Sequence, residues 1–293
     1  MGRLIKHTLT ALAMIPLAVS CYKQEPSSVQ QCTLTAHIEE DALTRTSISG
    51  NDADGYDILW KEGDTFSLKP IASSSAANSR TFTLIGGAGT TTGTFSSDED
   101  IDWEIFYGAE ALYGLDIDNP VWPQYQSCTA AGEIPVFPMR AYALQKETGV
   151  APKLVFTNLG GLLRLTLKGL GTLRAVIIEA EEPMSGKVTA ESLSRNYAAI
   201  DKTEGKTDIV LTAPEGIELS TEGTPIYIAM PRNADGYSSV VIYVVVNALT
   251  RTKKLKSGVT LVIEQSKITR ATIDLEDSGD VEIDNFNMED YVW

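Results

Sequence analysis

The chain has little of what most soluble catalysts and metalloproteins draw on. It holds two histidines, His7 and His37, among 293 residues. A zinc site built on several histidines is therefore excluded, and a Ser/His/Asp triad would have to be assembled around His37. Cysteine is as scarce: Cys21, Cys32 and Cys128 are too few for a disulfide framework, so stability must come from hydrophobic cores. Helical periodicity is missing, since no stretch of about 12 residues carries a convincing apolar stripe at the helical spacing. Clustered Lys and Arg are missing too. The formal charge of −15 argues against nucleic acid as a partner and disfavours adsorption to anionic membranes, leaving self-repulsion as its plain consequence. Beyond the N-terminal region no segment approaches the roughly 20 apolar residues of a membrane span.

The N-terminus does carry a signal. Arg3 and Lys6 precede an apolar run over residues 9–19, followed by Ser20 and Cys21. This is the layout of a secretory signal peptide with a short apolar centre. Small residues directly before a cysteine resemble the lipobox of bacterial lipoproteins. That resemblance implies a lipoprotein signal over residues 1–21, lipidation of Cys21, and membrane contact made through the lipid.

From Gln31 onward almost every pattern has period two. Leu34, Ala36 and Ile38 alternate with polar residues, as do Tyr56, Ile58 and Trp60, then Phe66 and Leu68, then Phe82 and Leu84. Each pattern suits a half-buried strand. The clusters NDADG (residues 51–55), IGGAGTTTG (85–93) and NADG (233–236) are turn signals at strand spacing. In the second half LLRLTLKGL, LRAVIIEA, TPIYIAMP, SVVIYVVV and VTLVIEQ are continuous runs rich in β-branched residues. The spacing predicts an all-β chain of two tandem antiparallel β-sandwiches. Gly149, Ala151 and Pro152 break the pattern, so the domains are expected at residues 46–150 and 151–270, after a propeptide at 22–45. An acidic, turn-rich tail follows over residues 271–293.

Chemistry is thinly represented. Paired acids sit in turn-like contexts such as SSDEDIDW and EAEEPMSG, where solvated carboxylates explain them without a glycosidase-like pair. NDADGYD has part of a calcium-loop pattern in Asp52, Asp54 and Gly55. It lacks the bidentate Glu at the required distance, and a hairpin turn explains it. No metal, no cofactor and no catalytic residue is assigned, and the chain is read as a non-enzyme. Trp60 falls on the apolar face of its strand and belongs in a core. Trp122 lies between Pro120 and Pro123 in NPVWPQY and is the candidate exposed aromatic for contact with a ligand.

Several stretches taken in order resemble the fimbrillins, the Mfa-like pilin family of type V pili in Bacteroidales-type bacteria. They are Cys21, Thr44-Arg45-Thr46, YDILWKEGDTFSL with Trp60 and Gly63-Asp64, FTNLGGLLRLTLKG, PIYIAMP and ITRATID. The resemblance implies a transthyretin-like sandwich in each domain and export to the outer membrane and cell surface as a lipoprotein. It further implies cleavage between Arg45 and Thr46 by an Arg-specific surface protease, then head-to-tail polymerisation with other pilin subunits by donor-strand exchange. The resulting pilus, or fimbrium, would support adhesion to a host or bacterial receptor.

Elementary physics supports the same scheme. If CTLTAHI supplies a strand to the first domain with Leu34, Ala36 and Ile38 inward, its excision exposes unpaired backbone and apolar pockets. Each large apolar side chain returned there is worth about 1.5 to 3 kcal/mol. The candidate donor is the tail, where Val281 and Ile283 alternate with acids and Tyr291 and Trp293 share a face; a frayed acidic terminus is the plain alternative. Such assembly would be an open filament. A Cys32–Cys128 disulfide would tether the excised strand, so the cut-site reading requires that these two are not bonded to each other. The alternative function is a monomeric surface lipoprotein that holds a glycan or a host protein through loop aromatics such as Trp122.

Overall fold

A computed structural model of the chain describes residues 32–39, 47–51, 55–70, 79–99, 101–103, 105–144, 151–255 and 258–277. In chain order the first strands are β1 (Cys32–Ile38), β2 (Ser47–Asn51), β3 (Gly55–Leu59), β4 (Thr65–Lys69), β5 (Arg80–Gly86) and β6 (Thr92–Ser97). They are followed by β7 (Glu110–Tyr113), β8 (Val121–Trp122), β9 (Tyr125–Ser127), β10 (Met139–Tyr142) and β11 (Lys153–Asn158). The second half holds β12 (Gly160–Lys168), β13 (Gly171–Glu179), β14 (Gly186–Lys187), the short helix α1 (Ala190–Ser194), β15 (Asp208–Leu219) and β16 (Thr224–Pro231). It ends with β17 (Asn233–Tyr237), β18 (Val241–Val246), β19 (Leu249–Lys254), β20 (Leu261–Ile263) and β21 (Ile268–Asp274). The chain is nearly all β, as the period-two patterns require.

The alternation read in the sequence becomes alternation of burial. In β5 Phe82 and Leu84 are buried while Thr81 and Thr83 are exposed. In β4 Phe66 and Leu68 are buried. These side chains meet in one aromatic-rich core, with the rings of Phe66 and Phe82 stacked at 5.2 Å and Trp60 edge-on to Phe95 at 4.9 Å. Such ring pairs add to the area they bury, because the positive ring edge faces the negative ring face.

The first core is wrapped by a sheet that closes on itself. Seven strands close into a barrel in the order β1-β11-β10-β7-β4-β5-β6. Closure comes from β1, which pairs antiparallel with β6 on one side and parallel with β11 on the other. Without β1 the sheet would end in two open edges, at β6 and β11.

The second core lies between a three-stranded sheet, β16-β12-β21, and a five-stranded sheet, β19-β18-β13-β15-β9. This is a sandwich: Leu165, Ile228 and Ile273 come from one sheet, Val176, Leu211 and Val244 from the other. Antiparallel pairing dominates, but β12 with β21 and β15 with β9 are parallel. Helix α1 is capped by the Thr189 hydroxyl, which accepts from the Ser192 amide.

The cores do not divide at a single point near residue 150. Leu115, Trp122, Cys128, Ile134 and Phe137 pack in the second core, whereas Met139, Ala141, Leu154 and Phe156, later in the chain, pack in the first. The pattern break read at Gly149 to Pro152 falls in the chain between two barrel strands, β10 and β11. Composition marks a connection between strands and a domain linker alike, so the interleaving of the two cores is not legible in it.

Polar contacts bind the barrel to the sandwich. The buried Arg140 guanidinium on β10 forms an ion pair with Glu110 at 2.8 Å and donates to the carbonyl of Leu193 in α1. Asn196 donates to the Thr157 hydroxyl at 2.5 Å. Gln265 donates to the Asn158 and Asn196 carbonyls, each at 2.7 Å. Thus β10 and β11 are held from outside by the second unit.

Candidate functional site

The seat of β1 is the site with the most developed geometry. Leu34, Ala36 and Ile38 are 3%, 0% and 1% exposed, so the three residues expected inward are inward. Thr33 and Thr35 face solvent. His37 lies on the outer side, with Nδ1 2.8 Å from the Thr92 hydroxyl oxygen.

Main-chain pairing runs along both sides of the strand. Six residues, from Cys32 opposite Ser97 to His37 opposite Thr92, are in register with β6. Four, from Thr35 opposite Lys153 to Ile38 opposite Phe156, are in register with β11. Where the ladders end, the Ile38 amide donates to Thr91 at 2.9 Å and the Glu39 amide to Phe156 at 3.1 Å. The two-sided part therefore spans residues 35–38 and contains two inward side chains, Ala36 and Ile38.

The floor beneath these two residues is uneven. Ala36 faces Gly93 across the β6 ladder and Leu154 across the β11 ladder. A Cβ on Gly93 would come within 2.6 Å of Leu84, 2.7 Å of Phe95 and 3.0 Å of Trp60. The indole of Trp60 occupies this low place, and its backbone is fixed by hydrogen bonds from its amide to Thr90 and to its carbonyl from Gly89. Beside Ile38 the larger Phe156 packs edge-on to Trp60 at 5.6 Å. Chemically this is a receptor for an extended backbone with alternate apolar side chains: ladder groups recognise the main chain, pockets recognise the side chains.

Cys32 and Cys128 are not bonded to each other. Cys32 packs against the barrel core and Cys128 is buried in the sandwich core, so β1 is not tied to the second unit through sulfur.

Trp122 is a correction to the sequence reading. It is fully buried, its indole N–H donates to the Ala229 carbonyl at 3.4 Å, and its ring meets Phe137 edge-on at 6.4 Å. The flanking prolines mark a short strand, β8, paired with β14 and turned inward. A residue in that position makes no contact with an external glycan, and the alternative reading loses its anchor. Tyr125, three residues on and 70% exposed, is the aromatic on the surface here. No period-two signal distinguished the two positions in so short a strand.

Cys21, Arg45, Thr46, Val281, Ile283, Tyr291 and Trp293 lie outside the described residues, as do Asp52 and Asp54. The sequence order is nonetheless informative. Arg45 falls between β1, which closes the barrel, and β2, which pairs with β3 in a separate hairpin from Ser47 opposite Leu59. Gly93 and its crowded surroundings were missed by the sequence reading; its place at the end of a glycine-rich turn cluster hid its role as a strand residue.

No protein-family model matches the sequence. No curated protein matches it either. Among solved structures, the chain is similar to a proposed cell adhesion protein from Bacteroides ovatus, at 14% identity and a TM-score of 0.47, with 87% of this chain and 95% of that chain covered. A proposed cell adhesion protein from Bacteroides fragilis is similar at 12% identity and a TM-score of 0.41, with 86% and 97% covered. The tip fimbrial protein Mfa3 from Porphyromonas gingivalis, truncated at its C-terminus, is similar at 9% identity and a TM-score of 0.38, with 86% and 98% covered. With identities and scores of this size, these likenesses assign neither function nor partner to this chain.

Proposed function

We propose that the chain is a structural subunit of a surface pilus that supports adhesion. It is exported as a lipoprotein precursor on Cys21, cut between Arg45 and Thr46 by an Arg-specific protease, and polymerised head to tail by strand exchange. The observation that carries this reading is the seat of β1. The strand that closes the barrel lies entirely on the N-terminal side of Arg45, with its apolar residues inward and no Cys32–Cys128 disulfide to tether it. After a cut in the segment following Glu39, ladder hydrogen bonds and apolar packing are what hold that strand in the barrel. Its departure opens two sheet edges and an apolar groove, a surface that gains free energy by accepting another strand. In this scheme the donor is the C-terminal segment of the next subunit, with Val281, Ile283, Tyr291 and Trp293 as its apolar residues.

The test is to treat purified precursor with an Arg-specific protease, locate the cut by mass spectrometry, and follow assembly by electron microscopy and size-exclusion chromatography. The expected result is cleavage after Arg45, loss of residues 22–45 and growth of filaments, with no filaments from a chain lacking residues 281–293. A cut chain with an intact tail that loses β1 and stays monomeric would refute the proposal.

A further inference from the structure

We infer that the place of Ala36 in the groove is a size filter, and that it sets the register of the incoming strand: a residue no larger than alanine must stand opposite Gly93, with a branched apolar residue two positions later. The inference rests on the strand-exchange reading and adds to it which residues the groove accepts.

The filter follows from three facts. Gly93, directly across the ladder from Ala36, has no room for a Cβ, because Leu84, Phe95 and Trp60 already fill the space at 2.6, 2.7 and 3.0 Å. On the other side Ala36 faces Leu154, which is fully buried. Trp60, which fills the low place, cannot easily withdraw: its backbone is bonded at both the amide and the carbonyl, and its ring is packed against Phe95, Tyr113 and Phe156. A larger side chain at the Ala36 place would have to displace a close-packed aromatic cluster, the situation in which overpacking is costly. The next inward place, that of Ile38, holds a full branched side chain beside Phe156 and leaves a cavity if it is left small.

Small then large, two residues apart and running in the direction of β1, is thus the pattern the two-sided groove reads. Applied to residues 278–293, the rule selects one register. Gly279 followed by Val281 satisfies it, whereas Val281 followed by Ile283 would put a valine at the filter, and the Phe286 to Met288 and Tyr291 to Trp293 pairs are worse. The structure therefore assigns Gly279 of a second copy to the place of Ala36 and Val281 to the place of Ile38, parallel to β11 and antiparallel to β6. Glycine, which a reading for apolar donors passes over, becomes the register-setting residue.

The experiment uses the full chain with a specific protease site placed across residues 42–46, cut and freed of its N-terminal fragment in mild denaturant. Fluorescent peptides are titrated by anisotropy: residues 32–39, the same peptide with Ala36→Leu, residues 277–285, and that peptide with Gly279→Leu. Both parent peptides are expected to bind, and both leucine variants to bind at least about tenfold more weakly. Ala36→Leu binding within twofold of its parent would overturn the filter while leaving strand exchange intact. Gly279→Leu binding like its parent would overturn the register. Binding by none of the four to a chain that keeps its β-sheet circular dichroism would overturn the strand-exchange reading and this inference with it. Thermal unfolding of the uncut chain gives an independent readout: Ala36→Leu is expected to melt below both the parent and Ala36→Gly, and a melting temperature at or above that of Ala36→Gly would overturn the filter.

Discussion

Lys61 Nζ lies 3.1 Å from Glu133 Oε1, joining the segment between β3 and β4 to a loop whose neighbours Cys128 and Ile134 pack in the other core. The second carboxylate oxygen accepts from the Thr129 amide at 2.5 Å and the Thr129 hydroxyl at 2.7 Å. Partial burial works against ionisation of Glu133, but the Thr129 amide and hydroxyl and the Lys61 ammonium outweigh it and hold its carboxyl down at about 2, from an ordinary 4.5. A depressed carboxyl contributes stability that is complete above its unfolded value and is lost as pH falls through the folded one. Glu133→Gln is therefore expected to cost about 1–2 kcal/mol at pH 7, with the lower end favoured by the exposure of Lys61. The difference between variant and parent should shrink from pH 5 towards pH 2. Urea unfolding at several pH values checks this, and a pH-independent difference would contradict it.

Cys128 stands in the same neighbourhood. Burial pushes its thiol up to about 11, and the negative charge of Glu133 adds to the shift. The thiolate is the reactive form, so folded protein at pH 8 is expected to leave Cys128 unlabelled by iodoacetamide on a timescale that labels an exposed thiol fully. In denaturant it should react at the ordinary rate. Peptide mass spectrometry of the two samples reads the outcome, and fast labelling of Cys128 in folded protein would show that the loop over residues 128–134 opens.

Much of the barrel was legible because its strands are half-buried on a closed sheet, so Leu34, Ala36 and Ile38, or Phe82 and Leu84, print their burial as alternation. What stayed hidden depends on partners distant in sequence. The parallel pairing of β1 with β11 joins residues 35–38 to residues 153–156, and no local pattern encodes that partnership. The same pairing closes the sheet of the first β unit on itself. Trp122 was misread because a two-residue strand between prolines has no period to read, and its burial is decided by Phe137 and the backbone of Ala229. The inward groove residues could be named in advance; the filter at Gly93 needed the three side chains that crowd it.

Trp122→Ala should act on stability and not on recognition. The ring is wholly enclosed and Gly160 abuts it closely, since a Cβ on Gly160 would lie 2.5 Å from Trp122 Cη2. Removing it is expected to cost about 3–5 kcal/mol and to lower the unfolding temperature by many degrees. Trp122→Phe should recover part of this, because it restores ring volume without the N–H that Ala229 accepts. A differential scanning measurement on the three proteins decides the point; an unchanged melting temperature for Trp122→Ala would mean that the ring is exposed after all.

Arg140 connects the fold to the use proposed for it. Its guanidinium bridges Glu110 and the Leu193 carbonyl and covers the Tyr142 ring at 4.4 Å, fastening β10 to α1 of the second unit. In the intact barrel β11 is flanked by β1 and β10; once β1 leaves, β10 is its one remaining neighbour in the ladder. Arg140→Met keeps the apolar stem but strands a carboxylate and a carbonyl, at an expected cost of about 2–3 kcal/mol in the uncut chain. In a chain cut after Arg45 the cost should be larger, because the same fastening then holds an open sheet edge in place. Hydrogen exchange of β11 amides reads this directly: protection in the cut variant should fall well below that in the cut parent, while the uncut pair differ less. Equal losses in cut and uncut chains would mean that Arg140 serves general stability and not the open groove.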